Sequence, residues 1–176
     1  FIDHGHSSIN RYPVVARWRP DLYFTIASIV DFQRIEGGKI TFEFPENPLI
    51  IPQMCLRFND IENVGVSGKH FTSFVMIGQH CIANDTGYWK NECIDLDYGL
   101  LTNVFGIPKK EIVFKEDVWV GYGAFGYSLE YFSISFLSNP KKLSVLLLVK
   151  IKWPVLCFII IGLYIFKLLK NFILIF

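Results

Sequence analysis

The stretch Pro52–Ile82, PQMCLRFNDIENVGVSGKHFTSFVMIGQHCI, decides how the rest of the chain is read. From Gln53 to Asn59 the residue types alternate, placing Met54, Leu56 and Phe58 on one face of a strand and Cys55, Arg57 and Asn59 on the other. Arg57 is therefore expected on a sheet face. The return run, Phe71 to Ile77, has the aromatic and β-branched content of a buried antiparallel partner. Asp60 to His70 is too long for a tight hairpin, and loops of that length inside compact domains are usually functional. A fixed arginine beneath a long polar loop suits an anionic ligand.

Composition divides the chain. Of 176 residues, 52% are hydrophobic and 16% aromatic, enough to fill the core of one domain. Up to Pro140 there are 11 Lys and Arg against 16 Asp and Glu, and beyond it six Lys and no acid, which leaves the whole at +1. The acidic first part shows no basic patch for a nucleic acid. Cys55, Cys81, Cys93 and Cys157 have no paired metal-ligand spacing and no secretory signal precedes them, so reduced thiols in a cytoplasmic setting are expected. The chain opens on Phe1 instead of Met, which suggests a fragment.

The first twenty residues mix His4, His6, Arg11, Arg17 and Arg19 with apolar residues and read as a polar lead-in. The His4/His6 pair lacks a third ligand at a recognisable spacing, so no metal site is assigned. Leu22 to Gln33 is apolar and fits either a buried strand or a short helix. Gly37 and Gly38 mark a turn, and Ile40 to Phe44 alternates as a short strand. Asn84 to Gly87 can cap a helix over Tyr88 to Val104, with Trp89, Cys93, Leu96, Leu100 and Val104 along one side. Gly106 and Pro108 end it. Asp60, Glu62 and Asn63 read by themselves as a solvated turn with an Asx-type hydrogen bond.

Ile112 to Trp119 reads as a strand, followed by GYGAFGYS with Gly121, Gly123 and Gly126 in the pattern GxGxxG. No acid follows some twenty residues on, as a dinucleotide site requires. Close approach of backbone to a small ligand, or a tight turn, accounts for the glycines equally well.

Together these runs carry a resemblance. CLR at 55–57, DIENVG at 60–65, HFT at 70–72 and YWK at 88–90, in that order, closely resemble the catalytic domain of the alanyl-tRNA synthetase family in its archaeal form, from Gly5 to Phe132. The resemblance implies an α+β fold, a class II synthetase-like antiparallel sheet of six or seven strands flanked by helices, in residues 1–135. It implies alanine–tRNA ligase activity: ATP and L-alanine react to alanyl-adenylate, and alanine passes to tRNA(Ala). Arg57 matches the arginine that holds the ATP α-phosphate and the alanine carboxylate. Asn59, Asp60, Lys69, His70 and Phe74 match the ATP side of the site, and Trp119, Gly121 and Gly123 the alanine pocket. Mg²⁺ is expected with ATP, and zinc only in an editing region these residues do not include.

The chain also departs from the family. Val75 stands where many members carry an acid beside the second motif 2 phenylalanine, and past Phe132 neither the motif 3 arginine nor the acid that pairs with the alanine ammonium is found. Residues 136–176 form instead an unrelated Lys-, Ile-, Leu- and Phe-rich tail. It reads as the out-of-frame translation of an AT-rich gene, or as a membrane segment within 143–176. The run between Lys152 and Lys167 is short of the ~20 residues that span a bilayer, unless Lys150 and Lys152 snorkel. Two readings follow: a truncated, inactive ligase fragment, or a non-catalytic synthetase-like remnant anchored to a membrane.

Overall fold

The computed structural model describes residues 1–67, 70–82, 90–121, 124–133, 144–152 and 156–164, with backbone alone at 90, 117, 119–121, 124–128, 133, 144–152 and 156–164. Nine strands are described: β1 (Ser7–Ser8), β2 (Gln33–Glu36), β3 (Lys39–Phe42), β4 (Leu49–Leu56), β5 (Ser73–Ile82), β6 (Ile112–Gly121), β7 (Ala124–Ser133), β8 (Ser144–Lys152) and β9 (Leu156–Tyr164). One α-helix, α1 (Lys90–Gly99), runs into a π-helical turn at Leu100–Val104. Seven strands form a sheet in the order β1-β4-β5-β9-β8-β7-β6, while β2 and β3 make a separate hairpin turned by Gly37 and Gly38, both at positive φ. All pairs in the large sheet are antiparallel except β1 with β4. This is an α+β fold with a mixed sheet and few helices.

The β4–β5 hairpin forms as its alternation requires, but its buried face is the less apolar one. Leu49, Ile51, Gln53 and Cys55 are buried, whereas Met54 and Leu56 are half-buried and Phe58 is exposed. Gln53 explains the inversion. Its side chain accepts from the Tyr12 amide (2.8 Å) and donates to the Tyr12 carbonyl (3.1 Å), so a polar residue is satisfied inside the core. Pro52 is tolerated because β1 covers β4 only opposite Leu49 and Ile50, leaving the rest of β4 at the sheet edge.

The run Leu22 to Gln33 resolves as a 3₁₀ helix at Ser28–Phe32 leading into β2. It packs on one face of the sheet, where Ala27, Ile29 and Phe32 join Leu49, Ile51, Cys55, Phe74 and Met76. Gly78 permits the approach: a Cβ there would press into the Ser28 side chain and the His80 ring. Ile77, next to Met76 and therefore on the opposite face, joins a second cluster with Cys93, Leu101, Ile107, Ile112 and Tyr131.

The helix expected at Tyr88 to Val104 is present from Lys90, with Trp89 outside the described residues. Its buried side is Cys93, Asp97 and Leu101, and Val104 is 70% exposed, so the expected stripe is corrected. The wider π-helical turn from Leu100 changes the angular phase of the later side chains, and the interior accepts a carboxyl at Asp97. Gly106 ends the helical segment in the left-handed conformation.

The lead-in is also less polar than its sequence. Arg19 is fully buried, ion-paired with Asp21 at 2.7 Å and hydrogen-bonded to Gln33. His6 is buried beside the Phe1 carbonyl and 3.0 Å from the Gln79 side-chain nitrogen, and burial lowers its pKa. Part of the hydrophobic tail has a place in the sheet, since β8 and β9 form a hairpin between β5 and β7. The compositional boundary at 136 therefore does not coincide with an edge of the sheet. Among the described residues no helix is long and apolar enough to cross a membrane.

Candidate functional site

Arg57 follows β4 directly and is fixed from three sides. Its amide donates to the Thr72 carbonyl at 2.9 Å, continuing the hairpin past the formal end of β4. Its Nε donates to the Ile26 carbonyl at 2.8 Å, and its guanidinium carbon lies 5.1 Å from the centroid of the Phe74 ring. The half-buried side chain is thus held by a backbone oxygen and an aromatic face, with no carboxylate paired to it among the described residues. Its two terminal nitrogens make no hydrogen bond among those residues and keep their donors for a ligand. A planar cation so presented can take two oxygens of one anion or bridge two anions.

Phe74 is buried, on the same face as Cys55 and Arg57, and packs in the first core cluster. The ring supports Arg57. Val75 turns to the other face, opposite Met54, so a side chain at that position is directed away from Arg57. The Cys55 thiol is no nucleophile here: burial pushes its pKa up to about 12, and Sγ donates to the Gln53 carbonyl at 3.6 Å.

The loop after Arg57 is built on its own backbone. Asp60 has a left-handed φ of 54° and starts a 3₁₀ turn at Ile61–Asn63, with no side-chain cap bond from Asp60 in place of the expected Asx-type contact. The Asn63 carbonyl accepts from the Val66 and Ser67 amides and from the Ser67 hydroxyl. His70 Nδ1 stands 2.6 Å from Ser67 Oγ, which ties the far end of the loop back to its start. Asn59 and Asp60 are exposed at the mouth of this loop, and Lys69 lies outside the described residues.

Trp119 and Gly121 are on β6, opposite Gly126 and Ala124 of β7, so the glycine pattern belongs to a hairpin; Gly123 lies outside the described residues. The register does not bring them to Arg57. Four strands, β5, β9, β8 and β7, stand between β4 and β6. At the usual spacing of about 4.8 Å this is about 24 Å across the sheet.

Two carboxyls escaped the sequence reading. Asp31 and Asp97 are 0% exposed, and none of their oxygens has a hydrogen-bond partner among the described residues. Burial raises Asp31 to about 8 against the attraction of Arg34, and raises Asp97 well above the carboxylate range. The available signal is an acid set in an apolar run, as in Ile29-Val30-Asp31-Phe32. No group of three metal-ligating side chains is found among the described residues.

With this geometry, comparison with known proteins is direct. The family model for tRNA synthetases class II (A) matches residues 1–133, and the chain belongs to that family. Within the class, relatives of high identity include alanine–tRNA ligases. The chain is 67% identical over 132 residues to the alanine–tRNA ligase of Cenarchaeum symbiosum, covering 75% of this chain and 15% of that protein. The alanine–tRNA ligase of Nitrosopumilus maritimus gives the same figures, and that of Methanocella arvoryzae is 49% identical over 136 residues. The chain spans about 15% of the length of these relatives.

Proposed function

We infer that the chain carries the ATP-facing part of an alanine–tRNA ligase, with Arg57 as its catalytic residue. The observation that carries this reading is the guanidinium fixed by Ile26 and Phe74 with its terminal nitrogens unengaged among the described residues. Attack of the alanine carboxylate on the α-phosphorus of ATP brings two anions together. Arg57 bridges them and offsets the charge that builds at phosphorus in the transition state. Asn59, Asp60 and His70 face ATP from the loop, and the family resemblance adds Lys69 to them. Phe74 acts on ATP through Arg57. Mg²⁺ arrives with the nucleotide, L-alanine meets Arg57 through its carboxylate, tRNA(Ala) is the acceptor, and the setting is cytoplasmic; Trp119 and Gly121, on β6, stand four strands away from this pocket.

No arginine follows Arg57 within these 176 residues, so none of the residues after it offers a second guanidinium to the γ-phosphate. Since positioning and charge stabilisation supply most of the rate in such chemistry, the chain by itself is expected to bind ATP without completing the reaction. Alanine-dependent ATP–pyrophosphate exchange and tRNA aminoacylation, measured with the full chain, test this: both are expected at background. Sustained aminoacylation would overturn the reading.

A further inference from the structure

Cys81 of β5 and Cys157 of β9 are directly opposed in an antiparallel pair. Opposed Cα atoms in such a pair stand about 4.5 or 5.5 Å apart, according to whether the pair is hydrogen-bonded. Both values fall inside the span of about 4.4–6.8 Å that disulfides bridge. No other cysteine is so placed: Cys55 is opposed by Phe74, and Cys93 lies on α1.

We propose that Cys81 and Cys157 form a cross-strand thiol pair that a small-molecule disulfide oxidises, locking β9 onto β5. One cysteine, as its thiolate, attacks a sulfur of the reagent; a mixed disulfide forms and one reagent thiol leaves. The second cysteine attacks the protein sulfur of that mixed disulfide, the protein S–S bond forms, and the second reagent thiol leaves. Two protein thiols are oxidised by two electrons in all, and one disulfide reagent is reduced to two thiols. Cys81 is 1% exposed, so the reagent gains access when β9 lifts from β5, and closure then holds the strand down. The bond would sit midway in the sheet. It joins the half containing β4 and β5 to the β8–β9 hairpin, which follows the family-matched residues 1–133.

The test is to incubate the full folded chain with glutathione disulfide, block remaining thiols, digest without reduction, and map linked peptides by mass spectrometry. The expected result is one dominant species joining Cys81 to Cys157, with two of the four cysteines still alkylated. Cys55→Ser and Cys93→Ser should keep the link, and Cys157→Ser and Cys81→Ala should each abolish it. The chain oxidised in denaturant should instead give mixed linkages, which makes the native result a statement about register. A dominant link to Cys93 or Cys55 would overturn the proposal. So would glutathione retained on either cysteine without ring closure, or no oxidation of the folded chain under conditions that oxidise the unfolded one.

Discussion

The guanidinium of Arg57 lies over the ring of Phe74, 5.1 Å from its centroid, while the Ile26 carbonyl takes the Nε proton. One side chain thus supplies charge and the other direction. A cation over an aromatic face is stabilised by roughly 0.5–2 kcal/mol, depending on its exposure to water. Phe74→Leu keeps an apolar core residue and removes the ring. ATP affinity should fall about threefold to tenfold, with unfolding free energy lowered by about 1 kcal/mol. Calorimetric titration beside urea unfolding separates the effects, and unchanged ATP affinity would show that Phe74 only fills the core.

Gly78 tests the close packing of the 3₁₀ helix on β5. Gly78→Ala places a methyl against Ser28 and His80, whose Oγ and Nε2 are 3.0 Å apart, and should destabilise the fold by about 1–3 kcal/mol. Denaturant unfolding reads this directly. A midpoint equal to that of the parent would mean the helix packs more loosely than described.

Asp31 gives stability a pH dependence of definite sign. Its carboxyl keeps a proton to about pH 8 in the fold because burial disfavours the charge, against 3.8 in the unfolded chain. Between these values the folded chain binds the extra proton. The contribution is therefore complete below about pH 4 and is lost as pH rises through 8, by up to about 1.4 kcal/mol per pH unit. His80 runs the other way: burial lowers it to about 3, so its contribution is full above 6.5 and is lost as pH falls through 3. The two oppose each other below pH 6.5, which leaves pH 6.5–8 as the window for Asp31. In urea unfolding across that window the parent should lose stability, and Asp31→Asn should lose distinctly less. Identical slopes would refute the assignment to Asp31.

What the sequence revealed, and what it hid, follows from the range of the forces involved. The β4–β5 hairpin, the Gly37–Gly38 turn, the Gly106 stop and the sheet-face position of Arg57 rest on local alternation and backbone preference, and they were legible. The core face of β4 was not, because Gln53 is buried through a bond to Tyr12, forty-one positions away in the chain. Nor was the burial of Arg19, which depends on Gln33 and Asp21. The apolar run after Pro140 fixes hydrophobicity but not conformation, and 144–152 and 156–164 are strands. Arg57 and Trp119 read as one pocket by resemblance. Their separation by four strands depends on sheet order, which no local pattern encodes.

The most direct test of the account is titration of MgATP into the full chain and into Arg57→Ala and Arg57→Lys. The parent should bind, and Arg57→Ala should bind at least tenfold more weakly, as loss of a charge-assisted contact of about 1.5–3 kcal/mol requires, while loss of the Ile26 and Phe74 contacts lowers the unfolding free energy by only about 0.5–2 kcal/mol and leaves the chain folded. Arg57→Lys should not restore affinity, because an ammonium cannot reproduce the planar fork held by Ile26 and Phe74. Equal affinity in parent and Arg57→Ala would contradict the central claim that this guanidinium is the anion-binding group of the site.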